Sequence, residues 1–272
     1  MPEMPRLGPL YRAAALRRGV AAVPALPSRE VTLEGVTVDR AHLADYSRVC
    51  GFRLRDELPA TYPHVVAFPL AMTLMTGRDF PFPLLGLIHV ANRVEVLGPL
   101  RSSASFAFGV RAEGLRPHPR GTQLDVITTA TVDGALVWRD TSTYLRRGPG
   151  APSEKGAPSD PPSPNAVWRV PRRVGADYAG VSGDRNPIHT SRVLAKVFGF
   201  PRTIAHGMWT KARCLAALEG RLPDTYSVDV AFKLPVLLPA TVGFSAAAKG
   251  SGWDFGVHDE RSGRPHLTGH VR

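Results

Sequence analysis

The sequence contains few cysteines and no long apolar run. Its 272 residues include only Cys50 and Cys214, which lie far apart in the chain without the spacing of metal ligands. A disulfide framework and a zinc site therefore both lack support, and a reducing cytoplasm is the simplest setting for the protein. No apolar segment approaches the ~20 residues that span a bilayer, so we expect no membrane insertion.

The N-terminal segment, MPEMPRLGPLYRAAALRRG, also lacks the continuous hydrophobic region of a secretory signal. It is rich in arginine and poor in acidic residues, a composition that weakly indicates a transit peptide. We favour a short surface or interface helix over residues 10–18, and a transit peptide is the alternative.

Acidic residues are outnumbered by basic ones, 23 against 34, which gives a formal charge of +11. This excess favours an anionic partner, such as a phosphate-bearing ligand, an acidic protein or a nucleic acid. The basic residues are scattered instead of forming one block, which argues against nucleic acid. A solvated basic surface remains the alternative interpretation.

Residues 147–165 divide the sequence in two. This stretch, RGPGAPSEKGAPSDPPSPN, is rich in proline, glycine and serine and has no aromatic or branched aliphatic residue. Such a composition is typical of a linker. It predicts two domains, residues 1–146 and 166–272, which fits a chain of 272 residues at roughly 100–200 residues per domain.

The two halves resemble each other. The segments 44-ADYSRVCG-51 and 176-ADYAGVSG-183 share five of eight residues, and 90-VANRVEVLGPL-100 and 230-VAFKLPVLLPA-240 share five of eleven. The two matches come in the same order. They predict a tandem duplication, with a period far longer than that of a solenoid repeat.

Hydrophobic periodicity predicts the same order of elements in both halves, a principal helix followed by antiparallel strands. In the second half, helices are predicted over 170–182, 192–198 and 205–220, and strands over 226–239, 241–250, 252–260 and 265–272. In the first half, the predicted helix covers 67–77 and the strands cover 87–96, 103–113, 122–132 and 135–145. Asp133-Gly134, between the last two strands, predicts a hairpin.

The predicted fold class is α+β. A sheet that is apolar on one face needs its helix to cover that face. We expect the two units to pair edge to edge as one extended sheet.

The segment SGDRNPIHTS, residues 182–191, places an acid, an amide, a proline and an imidazole within six positions. On a helix, Asp184 and His189 would lie about 140° apart around the axis. Gly183 is predicted to end the preceding helix, and the following Asn-Pro step disfavours helical conformation, so the segment reads as a loop. A loop can bring both side chains to one point as an acid–base pair. The alternative is that these residues only cap and form turns.

The first half lacks this polar loop. After Gly51, which matches Gly183, Phe52 occupies the position of Asp184 and Glu57 that of His189. If the polar residues served only to form the turn, the other copy should retain some of them. The contrast favours a duplicated enzyme with a single active site.

Tyr178, followed by 182-SGDRNPIH-189 and 205-AHGM-208, resembles the hydratase-2 signature of MaoC-like (R)-specific enoyl-thioester hydratases. The chain is more similar still to the double-hotdog 3-hydroxyacyl-thioester dehydratases of mycobacterial type, through its degenerate first half, its linker and the runs 199-GFP-201, 234-LPVLLPAT-241 and 265-PHLTG-269. The resemblance implies two tandem hotdog units, each a long central helix wrapped by an antiparallel sheet.

The resemblance also implies an activity, the reversible dehydration of (R)-3-hydroxyacyl thioesters to trans-2-enoyl thioesters in fatty-acid metabolism. Asp184 and His189 would hold the reacting water, and the backbone N–H of Gly207 would form the oxyanion hole. A purely structural role for Gly207, close packing of a helix start, is the alternative. The supporting residues would be Ser182, Gly183, Asn186, Pro187 and His206. Asn186 would brace the loop through its amide, and His206 would support the site or cap the helix.

This reaction needs no metal and no redox cofactor. The substrate would be an acyl thioester of coenzyme A or acyl carrier protein, and the positive charge suits either. In the first half, Leu70-Ala71 is expected near the equivalent of His206-Gly207. Apolar Met72, Met75, Phe80 and Phe82 would line an acyl tunnel or, alternatively, belong to an ordinary core.

Three other functions remain open at this point. A hotdog thioesterase would direct water to the carbonyl carbon, although the intact Asp-x-Asn-Pro-x-His loop argues against it. A non-catalytic acyl-thioester-binding subunit should lack the acid–base pair. A nucleic-acid binder is the most distant alternative. The chain is expected to be a monomeric double hotdog or a homodimer.

Overall fold

Ten antiparallel strands dominate the computed structural model, which describes residues 3–17, 19, 24–148 and 163–272. The strands are β1 (Val31–Thr37), β2 (Leu87–Val96), β3 (Ser105–His118), β4 (Gly121–Val132), β5 (Ala135–Arg147), β6 (Ala166–Val170), β7 (Tyr226–Phe232), β8 (Ala240–Lys249), β9 (Gly252–Asp259) and β10 (Pro265–Val271). They form one sheet in the order β1-β3-β4-β5-β2-β7-β10-β9-β8-β6.

The strand order repeats. Counted from its outer edge, the first half runs β1-β3-β4-β5-β2 and the second half runs β6-β8-β9-β10-β7, which is the same order. The halves join where β2 pairs with β7, from Ala91 opposite Ala231 to Val96 opposite Tyr226. The structure confirms the tandem duplication, the α+β class and the edge-to-edge pairing of two hotdog units.

Seven helices are described: α1 (Leu7–Leu16), α2 (Arg40–Cys50), α3 (Tyr62–Met75), α4 (Val174–Ser182), α5 (Pro187–Thr190), α6 (Arg192–Val197) and α7 (Gly207–Ala217). The central helices α3 and α7 bury mostly apolar side chains in one continuous core with the sheet. The repeated ADY segments lie on α2 and α4, and each of these helices ends at a glycine with positive φ, Gly51 at 83° and Gly183 at 73°. This conformation is easy for glycine, which explains why both copies retain it.

Local turn signals predicted the structure well. Asp133 and Gly134 have φ values of 50° and 79°, and the flanking strands β4 and β5 pair as the predicted hairpin. Ser191 caps α6 by accepting a hydrogen bond from the Leu194 N–H.

Several predicted boundaries were wrong. Helix α3 begins at Tyr62 and continues through Pro69, although proline disfavours helix interiors. Leu70-Ala71 therefore lies inside the helix and does not correspond to His206-Gly207 at the start of α7. Strand β3 continues past Gly114, because a register shift there accommodates an irregularity in the pairing.

Other elements were displaced or missed. Val170 belongs to β6, so the predicted 170–182 helix begins only at Val174. The N-terminal helix runs over Leu7–Leu16, and residue 18, the predicted end, lies outside the described residues. Strand β1 was not predicted. The linker prediction falls largely on residues 149–162, which also lie outside the described part of the chain.

Across the described ranges, the helices are too short or too polar for any of them to cross a bilayer.

Candidate active site

The polar loop connects α4 to the single turn of α5. The side chain of Asp184 accepts a hydrogen bond from the Asn186 N–H at 3.1 Å, and Ser182 Oγ accepts one from the Asp184 N–H at 3.2 Å. Asn186 in turn caps α5 by accepting from the Ile188 N–H, with Pro187 as the first residue of that turn. These residues do form turns and caps, as the alternative interpretation predicted. The same turns also fix the directions of the Asp184 and His189 side chains.

Asp184 and His189 converge. Together with His206 they offer ligand or proton-transfer atoms that all lie within 4.8 Å of one another. Asp184 has 31% of its side chain accessible, whereas His189 is buried apart from its contact with a cavity. His189 Nδ1 lies 2.9 Å from the Ile204 carbonyl, and because a carbonyl only accepts, this nitrogen carries the proton. His189 Nε2 is therefore left as a free base.

His206 contacts both catalytic-loop residues, Asp184 and His189. Its Nε2 donates to the backbone carbonyl of Asp184 at 3.0 Å, and its ring stacks on that of His189 with centroids 3.5 Å apart. His206 occupies the N-cap position of α7 but its side chain makes no capping bond. Two roles were expected for His206. Helix capping by its side chain is wrong, and the side chain instead contacts the catalytic-loop backbone at Asp184.

The ionisation of this cluster favours a carboxylate beside neutral imidazoles. The pKa of Asp184 is lowered: burial alone would raise it, but burial is outweighed by His206, His189, the Asn186 N–H and the Tyr11 hydroxyl. Burial lowers the pKa of His189, although Asp184 acts in the opposite direction. Burial and the neighbouring His189 lower the pKa of His206 to about 3. At neutral pH the site therefore holds a charged acid and an uncharged base.

Gly207 starts α7 at the edge of the same cavity. Backbone N–H groups in the first turn of a helix have no partner within the helix and carry partial positive charge. A Cβ on Gly207 would lie 2.9 Å from the Phe232 ring. Glycine is therefore needed for close packing, and it also leaves the helix start open to a ligand.

One cavity of about 600 Å³ joins these groups. Asp184, His189 and Gly207 line it from the second half, and residues of α3, β2 and β5 line it from the first half. A cavity of this size is within the range of small-molecule binding sites.

The Asp184, His189 and His206 cluster is a poor cage for a metal ion. Each histidine already uses one ring nitrogen on a backbone carbonyl. The two rings are stacked with an interplanar angle of 24°, so their in-plane lone pairs do not converge on one ion. The geometry suits proton transfer better than metal coordination.

The comparisons with known proteins agree with this geometry. The family model described as MaoC-like domain matches residues 158–268, which is most of the second half. Over 269 residues the chain is 41% identical to 3-hydroxyacyl-thioester dehydratase X of Mycobacterium tuberculosis, covering 94% of this chain and 96% of that relative. The chain belongs to the MaoC-like dehydratase family.

Further similarities are consistent with membership of the MaoC-like family. A crystal structure of HtdX from Mycobacterium tuberculosis has a TM-score of 0.82 at 41% identity, covering 90% of this chain and 99% of that one. Enoyl-CoA hydratase ChsH3 of the same organism is 30% identical over 192 residues, or 65% of this chain and 66% of the relative. A double-hotdog protein of that organism, at 14% identity and a TM-score of 0.57, covers 91% of this chain and 97% of its own and shows the fold alone.

In this MaoC-like chain the first half contributes more polar groups to the cavity than the sequence suggested. His64 lines the cavity with its Nδ1 3.2 Å from Asp140, and His89 stacks on Tyr144 with centroids 4.8 Å apart. Tyr11, from the N-terminal helix, also lines it. No local pattern in the sequence points to any of these residues, because they reach the cavity through long-range packing.

The predicted acyl-tunnel residues divide into two pairs. Met72 and Met75 line the cavity and are also almost fully buried, so the acyl-tunnel prediction stays a prediction for them. Phe80 and Phe82 are buried in the core outside the cavity lining, so the tunnel prediction was wrong for them and the core alternative is correct. They follow α3, whose cavity-facing side ends at Met75.

The counterpart loop in the first half has no catalytic pattern. Phe52 packs against the core and stacks on Tyr46, with ring centroids 6.4 Å apart. Glu57 is exposed and forms an isolated bridge with Arg101. The Asp184 and His189 pair therefore has no counterpart in the matching loop of the first half.

Gly207→Ala is expected to lower kcat at least about tenfold and to destabilise the fold by about 1–3 kcal/mol. The added methyl would press on Phe232 and shift the helix start, which would displace the N–H that is expected to form the oxyanion hole. Enoyl-thioester hydration and thermal unfolding measure the two effects. Adding Phe232→Leu should relieve the contact and restore part of both, whereas full activity of the single variant would contradict a role for this helix start.

Proposed function

We propose that the protein catalyses the reversible dehydration of (R)-3-hydroxyacyl thioesters to trans-2-enoyl thioesters. The observation that carries this proposal is the convergence of Asp184, His189 and the Gly207 helix start on one cavity. The relatives named as a 3-hydroxyacyl-thioester dehydratase and an enoyl-CoA hydratase support the same reaction. These three residues are the proposed catalytic set.

In the hydration direction, Asp184 and His189 hold a water molecule on one face of the double bond. His189 Nε2 accepts a proton as the water oxygen bonds to C3 of the enoyl thioester, and Asp184 orients the water and stabilises the imidazolium that forms. The π electrons move to the thioester oxygen. The imidazolium of His189 then gives this proton to C2, which restores the thioester carbonyl and the neutral imidazole. Dehydration reverses every step.

The thioester oxygen becomes enolate-like between these two proton transfers. A preorganised N–H at the position of this oxygen stabilises the transition state more than the ground state. Gly207 supplies that N–H at the start of α7. In the same proposal, Ser182, Gly183, Asn186, Pro187 and His206 hold the catalytic loop in place. The reaction is redox-neutral, and the proton taken from water is the one that C2 receives. It therefore requires no metal and no redox cofactor.

The substrate is an acyl thioester of coenzyme A or acyl carrier protein. Exposed Arg147 and Lys233 line the cavity and offer cations to a phosphate-bearing carrier. Met72 and Met75 offer an apolar wall to the acyl chain. We therefore assign acyl-chain binding to residues 1–146, catalysis to residues 166–272 and a linking role to residues 147–165.

Two further assignments belong to the proposal. Free, buried Cys50 and Cys214 fit a reducing cytoplasm. The catalytic loop of one half faces the cavity wall of the other within one chain, so a monomeric double hotdog suffices for activity, and a homodimer would be two such units.

Two assays on the same substrate test the reaction. Purified protein should convert a trans-2-enoyl-CoA into the (R)-3-hydroxyacyl-CoA, followed by loss of the conjugated enoyl absorbance, without releasing free thiol. Thiol release without hydration would assign a thioesterase instead. Binding of acyl-CoA with neither reaction would assign a non-catalytic subunit, and salt-dependent DNA binding without turnover would assign a nucleic-acid binder.

The pH dependence of kcat/KM should have an acidic limb set by the catalytic pair. The active form has Asp184 ionised and His189 neutral, and both pKa values are lowered, so this form prevails at neutral pH. We expect a plateau above about pH 6.5, the value of an unperturbed imidazole, and a loss of activity only below it. A decline that already begins between pH 8 and 7 would contradict the assigned states.

A further inference from the structure

Helix α1 reaches the catalytic loop from the opposite end of the chain. The Tyr11 hydroxyl lies 2.9 Å from the Gly183 carbonyl and 3.3 Å from Asp184 Oδ1, and it accepts a hydrogen bond from the Arg185 N–H at 2.7 Å. Three consecutive loop residues, 183–185, thus lie within hydrogen-bond distance of the Tyr11 hydroxyl. The family match begins at residue 158 and does not include this helix.

Both sides of α1 are attached. Leu7 packs on Gly183, and a Cβ added to Gly183 would lie 2.4 Å from a methyl group of Leu7. Arg17 donates to the Gly77 carbonyl at 2.8 Å, just beyond α3, and also to the Phe80 carbonyl. The helix is therefore fixed to the first half while Tyr11 contacts the loop of the second half.

We propose that Tyr11 is a positioning residue for the reaction, which holds Asp184 in its working orientation through the phenol hydroxyl. This inference rests on the proposed function of Asp184. It extends the active site to a residue that precedes the catalytic loop by more than 170 positions.

The contacts divide the two oxygens of the carboxylate. Asp184 Oδ1 receives the Asn186 N–H at 3.1 Å and faces Tyr11 at 3.3 Å. Asp184 Oδ2 lies 3.7 Å from His206 Nε2, beyond hydrogen-bond distance. Anchoring Oδ1 leaves Oδ2 to bind the reacting water.

The phenol has one proton and two acceptors for it. When Asp184 is ionised, the hydroxyl can donate to Oδ1, and when Asp184 carries a proton, the hydroxyl can turn to the Gly183 carbonyl. The Arg185 N–H occupies one of its lone pairs in both states. Tyr11 thereby favours the ionised carboxylate that the proposed reaction uses.

The test is Tyr11→Phe in the full chain, with trans-2-enoyl-CoA hydration followed across pH. The substitution retains the ring and removes the hydroxyl, which donates to Asp184 or Gly183 and accepts from the Arg185 N–H. We expect kcat to fall about tenfold or more, as for loss of a hydrogen bond to a charged group, while KM changes less than about threefold.

The acidic limb of the pH–activity profile is a second readout, which a purely structural role of Tyr11 would leave unshifted. The titratable groups that interact with the charge of Asp184 are His206 and His189 from the second half, Tyr178 from α4, Tyr11 from α1, and His89 and Tyr144 from the first half. Removing a donor to the carboxylate raises the pKa of Asp184. In Tyr11→Phe, activity should therefore be lost at a higher pH than in the wild type.

Tyr226→Phe is the matched control, because it removes a phenol hydroxyl from a half-buried tyrosine outside the cavity lining. It should leave kcat and the pH profile unchanged. The inference is overturned if Tyr11→Phe has a wild-type kcat and an unshifted limb while Asp184→Asn is inactive. If Asp184→Asn is itself active, the proposed function fails, and with it the premise for Tyr11.

Discussion

Replacing Asp184 with asparagine should lower kcat for enoyl-thioester hydration by at least about 1,000-fold. The amide keeps the size of the side chain and an oxygen that can accept from the Asn186 N–H, so the turn should survive. It carries no charge and cannot stabilise the imidazolium of His189. Steady-state hydration kinetics, together with the thermal unfolding midpoint, separate this loss of chemistry from a loss of fold.

The chain offers a matched control on its surface. Asp254 and His270 form an exposed carboxylate–imidazole pair between β9 and β10. Asp254→Asn makes the same chemical change away from the cavity and should leave kcat unchanged. If Asp184→Asn were no slower than Asp254→Asn, Asp184 would have no catalytic role.

Replacing His189 with alanine should also lower kcat by at least about 1,000-fold, because the variant loses the nitrogen that is proposed to take the proton from water. His206 is the nearest imidazole among the described residues, and burial, the largest cause of its lowered pKa, persists in the variant, so it stays a weak base. Hydration kinetics at a single neutral pH measure the loss.

Two companion variants guard against unfolding. His189→Gln retains much of the volume and a group that can donate to the Ile204 carbonyl, yet it lacks a titratable nitrogen, and it should be as inactive as the alanine variant. His270→Ala, at the surface, should be fully active. A His189→Gln variant with substantial turnover would assign His189 a packing role only.

Much of the fold could be predicted because its signals are local or repeated. The Asp133-Gly134 hairpin and the helix end at Gly183 both depend on positive φ values, which few residues adopt. The internal repeat predicted that both halves share one architecture, which the strand order confirms. The start of α3 was misplaced because Pro69 is tolerated inside a helix that is buried in the core.

From the residues alone, the acid–base pair could be predicted because it is contiguous in sequence, whereas Gly207 and His206 were expected only from the family resemblance. Asp184 and His189 lie on one short loop, so their convergence could be argued from the turn itself. Tyr11, His64 and Tyr144 reach the cavity from α1, α3 and β5. Their contribution depends on how distant elements pack, and no spacing rule along the chain encodes that packing.

The most direct test of the central claim is hydration of a trans-2-enoyl-CoA in D2O by the wild-type protein and by Asp184→Asn. The proposed proton path predicts that the wild type forms the (R)-3-hydroxyacyl-CoA with one deuterium at C2 and an intact thioester, and that the variant forms almost none. Release of free thiol without a hydroxyacyl product, or equal product formation by the variant, would contradict a dehydratase that works through Asp184 and His189.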